Sequence, residues 1–182
     1  MSFIGYIKSF LVNYRINKSD KSKIDWLSSQ GAVIGEGTRF IGEAYLGSEP
    51  YLVEIGKNCL ISSHVCFLTH DGGVKVLNSA GFFDGTRMDK MARIKIGDNC
   101  FIGQDAKIMG GVQIGDNVIV GTCSVVTKNI PSGVVVAGMP ARVICNIEEY
   151  FKKNLDRGLF FPTASMSPKE KKAYLTANVP KI

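Results

Sequence analysis

The stretch "IGDNCFIGQDAKIMGGVQIGDNVIVGTCSVV", residues 96–126, decides the fold. Ile96, Ile102, Ile108, Ile114, Val120 and Val126 recur every six positions. An amphipathic helix repeats at three and four, and a half-buried strand repeats at two. A period of six is the signature of a parallel β-helix. Counting the aliphatic residue as position one, position two is glycine at Gly35, Gly56, Gly97, Gly103, Gly115 and Gly121. Position five is small or medium, as in Thr38, Cys59, Cys100, Ala106, Val118 and Ser124. A large side chain at one and a smaller one at five suit the inside of a narrow prism. Gly, Asp and Asn gather where the chain must turn.

Three hexads close one triangular coil of 18 residues, so residues 18 apart lie one above another. The ten or eleven hexads predict about four coils. Cys59 and Cys100 fall at the inward position five and read as small buried hydrophobes. "GSEP" at 47–50 breaks the phase and is expected to bulge outward. A longer break follows Ile55, Ile61 and Phe67. It opens at "THDGG", and the count resumes only at Ile96.

The flanks read differently. Residues 1–29 carry Phe3, Ile4, Ile7, Phe10, Leu11 and Tyr14 at helical spacing, with Lys8, Arg15 and Lys18 opposite. This segment is expected to cap the open end of the prism, since a solenoid needs polar-faced caps. Peripheral contact with a membrane surface is the other reading of the same pattern. "NIEEYFKKNLD" at 146–156 reads as a helix stopped by Gly158. "SPKE" sets Ser167 as N-cap, Pro168 at the first helical position and Glu170 at the third. The division expected is a helical cap at 1–29, the repeat domain at 30–146 with an excursion at 71–93, and a helical extension at 147–182.

Composition narrows the function classes. The chain has 182 residues, a formal charge of +6 and 45% hydrophobic residues. The basic residues are scattered and carry no nucleic-acid motif, so no nucleic-acid partner is expected. No apolar run reaches the roughly 20 residues that span a bilayer, and Lys8 and Asn13 interrupt any signal-peptide core. Five cysteines without metal-type spacing fit reduced thiols and a cytoplasmic location.

The hexads, "LTHDGG" at 68–73 and "IGDNVIVGTCSVVTKNIPSGVVVAGMPARVI" at 114–144 together resemble the hexapeptide-repeat acyltransferases over about residues 30–146. The saccharide O-acetyltransferases are the most similar branch. The resemblance implies a mainly β fold, a left-handed parallel β-helix, in a homotrimer that uses acetyl-CoA as co-substrate. It also implies that the break is where the active site is built. The loop at 71–93 then leaves the prism wall, reaches a neighbouring subunit and covers an acceptor sugar with Phe82, Phe83 and Met88.

His70 is then the general base. An imidazole, with its ordinary pKa of ~6.5, suits removal of a hydroxyl proton near neutral pH. Asp71 is a candidate to orient the ring. His64, at position four of its hexad, should face outward. By the same resemblance Gln104 and Thr122 offer polar contacts to pantetheine, while Thr127, Lys128 and Arg142 approach the nucleotide. Two departures from the pattern stand out. Cys145 occupies the place of a second arginine, and the asparagine that often assists at the acceptor cannot be placed. No metal is expected. Rival readings are an amino sugar, antibiotic or serine as acceptor, a γ-type carbonic anhydrase and a non-catalytic repeat scaffold. The carbonic anhydrase needs three zinc-binding histidines, and this chain has two.

Overall fold

Backbone pairing follows the predicted count. In the computed structural model, which describes residues 19–180, β7 (Ile94–Ile96) pairs with β10 (Gln113–Ile114), aligning Lys95 with Gln113. β8 (Phe101–Ile102) pairs with β11 (Ile119–Val120), and β9 (Lys107–Met109) with β12 (Val125–Val126). Each pair is parallel with an offset of 18. Upstream, β1 (Val33–Ile34), β2 (Arg39–Phe40) and β3 (Ala44–Tyr45) lie on β4 (Val53–Ile55), β5 (Leu60–Ile61) and β6 (Val65–Leu68) with an offset of 21. Three residues have therefore been added between β3 and β4, where "GSEP" lies.

From β4–β6 to β7–β9 the offset is 41. Its excess over 18 is 23, the length of residues 71–93. Successive strands pass to successive sheets, and every fourth strand returns to the first. The result is a three-sided parallel coil of four turns, with sheet orders β1-β4-β7-β10, β2-β5-β8-β11 and β3-β6-β9-β12.

The inside of the coil explains the residue choice. Position-one residues Ile55, Ile61, Phe67, Ile96, Ile102, Ile108, Ile114, Val120 and Val126 form the buried core, each worth about 1.5–3 kcal/mol on burial. Position five carries a donor where the corner backbone needs one. The Thr38 hydroxyl donates to the Gly56 carbonyl (2.6 Å) and accepts from the Cys59 N–H (3.0 Å). The Cys59 and Cys100 thiols reach the carbonyls of Gly97 and Gly115, both at 3.1 Å. A buried carbonyl without a partner would cost a hydrogen bond's worth of free energy.

Corners are equally regular. Asn58, Asn99 and Asn117 stack in left-handed backbone conformations with φ of 54–56°, and the Asn99 amide donates to Asn117 Oδ1 (2.7 Å). His64, Asp105 and Cys123 do the same six residues later with φ of 58–59°. His64 is thus an outward corner residue, exposed, with Nδ1 3.4 Å from Asp105 Oδ1. At Gly97 a Cβ would lie 2.7 Å from the Gly115 carbonyl carbon and 2.3 Å from Asp116 Oδ1. Only a missing side chain lets adjacent coils close there.

The ends depart from the repeat. β13 (Val134–Ala137) continues the second sheet parallel to β11 with an offset of 16, and β14 (Arg142–Asn146) returns antiparallel to it. This reversal was not expected from the period. Helix α1 (Asp20–Ser29) starts on the Ser19 cap and seats Leu27 in the core, while the Lys23 ammonium donates to the Gly42 carbonyl. It covers the first coil. The remainder of the N-terminal cap expectation, residues 1–18, lies outside the described residues. The chain leaves the solenoid through α3 (Ile147–Asp156) and α4 (Pro168–Asn178). Both begin with capping boxes, Ser167 with Glu170 as predicted and Asn146 with Glu149, which was not predicted.

Candidate active site

His70 stands where the chain leaves the wall. It follows β6 and the buried Thr69, and it forms an antiparallel bridge with Met91, where the chain comes back. The Ala92 N–H donates to the Thr69 carbonyl and the Asp71 N–H to the Lys90 carbonyl, both at 2.9 Å. The root of the excursion is thereby clasped twice. Gly110 lies beneath it. A Cβ at Gly110 would sit 3.1 Å from the Leu68 carbonyl oxygen and 3.2 Å from Ala92 Cβ. The pair at 110–111 is a tight corner that makes room for the excursion's root.

Within the excursion the chain is ordered by its own polar contacts. Asp71 Oδ1 accepts from the Gly73 N–H (2.9 Å), a turn that starts α2 (Val74–Ser79). Asp71 Oδ2 takes the Lys90 ammonium at 2.6 Å. Lys90, then the Gly73 N–H, hold the Asp71 carboxyl below the usual carboxylate range. Asp71 is therefore committed to folding the loop, where orientation of the His70 ring was its expected role. Further out, the Asn78 amide grips Met88 twice. Asn78 Nδ2 donates to the Met88 carbonyl (2.8 Å), and the Met88 N–H donates to Asn78 Oδ1 (2.9 Å).

These clamps shape a cleft of about 510 Å³ lined by His70, Lys75, Asn78, Ser79, Arg87 and Asp89 with neighbouring loop residues. None of the three residues expected as cover, Phe82, Phe83 and Met88, lines the cleft, and Phe82 is 71% exposed and Met88 42%.

A further group near His70 was missed in the sequence. "GSEP" does not simply bulge outward, because Glu49 is buried and turns back onto the next coil. Glu49 Oε2 accepts from the Thr69 hydroxyl at 3.0 Å, and Oε1 accepts from the Ser48 hydroxyl. The Ser48 bond, followed by Thr69 and the nearby His70, holds the Glu49 carboxyl low against the opposing effect of burial. A carboxylate one residue from the histidine in space, but 21 from it in sequence, gives no local signal. Asn78 was missed for the same reason. It lines the cleft, yet its amide is engaged by Met88 backbone.

The residues expected to hold a coenzyme lie on the outer surface. Gln104 and Thr122 both follow the paired strands β8 and β11 by two residues, so they occupy consecutive coils, and the Cys123 N–H donates to the Gln104 carbonyl (2.8 Å). Both are exposed. Thr127 and Lys128 follow β12. Arg142 follows Ala141, whose N–H donates to the Val125 carbonyl of that strand (2.8 Å). The Arg142 guanidinium donates to the Ala141 carbonyl (2.9 Å). Among the described residues no carboxylate pairs with Lys128 or Arg142, and no three metal-ligating side chains converge.

A three-sided parallel solenoid of hexapeptides, interrupted once beside a histidine, defines a class of repeat-built transferases. Comparison with known proteins agrees. The model described as Bacterial transferase hexapeptide (six repeats) matches residues 93–128. Protein CapG of Staphylococcus aureus is 40% identical over 170 residues, covering 92% of this chain and 93% of CapG. A galactoside acetyltransferase solved in complex with coenzyme A is similar with a TM-score of 0.60 at 28% identity, covering 80% of this chain and 82% of that one. A maltose O-acetyltransferase from Clostridium difficile 630 gives 0.58 at 25% identity, covering 79% and 85%. The chain belongs to the hexapeptide-repeat acyltransferases.

Proposed function

We propose that this protein transfers an acetyl group from acetyl-CoA to a hydroxyl of a sugar or saccharide precursor, with His70 as general base. The observation that carries the reading is the position of His70. It sits at the root of the only long interruption of the described coil and lines the cleft that the interruption creates. The named activities of the galactoside and maltose enzymes support the choice of donor and acceptor class.

In this reading His70 takes the hydroxyl proton, the oxygen attacks the thioester carbonyl, and the C–S bond breaks as the tetrahedral intermediate collapses. The proton held by His70 passes to the departing thiolate. No covalent enzyme intermediate is needed. Asp71 keeps the loop folded, and Glu49 with Thr69 fixes the backbone from which His70 projects. Gln104 and Thr122 lie along one wall for the pantetheine arm, with Thr127, Lys128 and Arg142 toward the phosphates. Lys128 and Arg142, which pair with no carboxylate among the described residues, fit an anionic nucleotide.

The catalytic unit is residues 30–146, wound left-handed as in the family, working as a cytoplasmic homotrimer. Exposed Val143, Ile144, Phe151 and Leu155 support association of the C-terminal segments. Light scattering should give three times 19.8 kDa, and a fully active monomer would refute the shared site.

The decisive experiment measures thiol release from acetyl-CoA across a panel of sugars. His70→Ala should lower turnover by about 10²–10⁴-fold with acetyl-CoA binding kept, and His64→Ala should leave turnover near the parent value. The reverse pattern between the two histidines would overturn the assignment.

A further inference from the structure

The cleft beside His70 carries a charge pattern that a neutral sugar does not require. Among the described residues, five basic side chains lie within 4 Å of a carboxylate: Lys21 of Asp25, Arg39 of Asp20, His64 of Asp105, Lys90 of Asp71 and Lys95 of Glu54. Lys75 and Arg87 share the lack of such a partner with other surface cations, Lys128 and Arg142 among them, but Lys75 and Arg87 stand beside His70. Both line the cleft, and among the described residues neither has a carboxylate partner. The one anionic side chain in the lining is Asp89, so the cleft is net positive even with His70 neutral.

Geometry makes this more than a pair of solvated surface charges. Lys75 lies in α2, which starts on the Asp71 turn. Arg87 directly precedes Met88, whose backbone is gripped on both sides by Asn78. The two backbones are thus positioned before any ligand arrives, which lowers the ordering cost of binding. Arg presents a planar fork that matches a carboxylate or phosphate in two hydrogen bonds, and Lys adds a mobile point charge. We propose that the acceptor is an anionic saccharide, whose carboxylate or phosphate is held by Arg87 and Lys75 while His70 takes the proton of a nearby hydroxyl. The proposal rests on the acetyl-transfer reading and specifies its acceptor.

The test compares matched acceptors: methyl galactopyranoside, the corresponding methyl galactopyranosiduronate, and galactose 6-phosphate. Thiol release is followed at low and high salt. The anionic acceptors should be preferred in kcat/KM by roughly 10- to 100-fold, the range one charge-assisted contact supplies. The uronate and phosphate arms tell which anion is read. Lys75→Gln combined with Arg87→Gln should abolish the preference, because KM for the anionic sugar rises by more than KM for the neutral glycoside. Asp89→Asn should strengthen anion binding, and salt should weaken it.

A second readout needs no turnover. The His70 imidazole resonances are titrated by NMR with the uronate and with the neutral glycoside, in the parent and in the double variant. Tighter binding of the uronate, lost in the variant, supports the proposal. Equal use and equal binding of charged and neutral sugars overturns it and leaves acetyl transfer standing. Uronate binding without any sugar acetylation would instead overturn the transferase reading.

Discussion

Replacing Asn78 by alanine isolates the clamp that shapes the cleft. The change removes two hydrogen bonds, from Asn78 Nδ2 to the Met88 carbonyl at 2.8 Å and from the Met88 N–H to Asn78 Oδ1 at 2.9 Å. Each such bond is worth about 0.5–1.5 kcal/mol net, so the tip should open more easily by about 1–3 kcal/mol. The root is held separately, by Asp71 with Lys90 and by Ala92 with Thr69. The loss should therefore stay local. Hydrogen exchange resolves it residue by residue, because exchange reports the free energy of the opening that exposes each amide. The Met88 amide should exchange roughly 5- to 150-fold faster, while the amides of β8 keep their rates. An unchanged Met88 rate would refute the clamp. Equal acceleration in β8 would show that the excursion and the wall unfold together, which the separate clasps at its root argue against.

Glu49→Gln should flatten the acid limb of the stability curve. The Glu49 carboxyl is held below its ordinary value, so its contribution is complete above ~4.3 and is lost as pH falls through the lower folded value. Urea unfolding at a series of acidic pH values reads this, and superimposable curves for parent and variant would contradict it. Gly97→Ala should destabilise by about 1–3 kcal/mol or more, because the new Cβ meets backbone that cannot swing aside; an unchanged urea midpoint would show that the coils can separate. Arg142→Ala should raise KM for acetyl-CoA by up to about ten- to a hundred-fold with little change in kcat, and Lys128→Ala should do so more weakly. Calorimetry at low salt in which both variants bind like the parent would remove them from the coenzyme site.

How far the sequence could be read followed from what repeats. Ile96, Ile102 and Ile108 announce the wall because every coil imposes the same inward position, and Thr38, Cys59 and Ser124 mark the smaller inward position for the same reason. The length of the excursion was legible as missing phase, and the Ser167 cap was legible because capping is local. Contacts that occur once leave no such trace. Glu49 meets Thr69 across one coil, Asn78 meets Met88 across a turn of ten residues, and Asp71 prefers Lys90 to its neighbour His70. The reversal at β14 was hidden as well, because an antiparallel return obeys no period of six.

The wall closes across the excursion as if nothing had been inserted. Leu68 pairs with Met109 in the same parallel ladder as Cys66 with Lys107, although 23 residues have left and returned between them. Loop closure is insensitive to length, and doubling such a segment costs only about 0.6 kcal/mol. Mutation can therefore lengthen, shorten or replace the chain between Thr69 and Ala92 with small effect on the stability of the stack. On the proposed acetyl-transfer reading, acceptor choice becomes an evolvable cassette on a separately stable frame, and new substrates can be explored without putting the fold at risk.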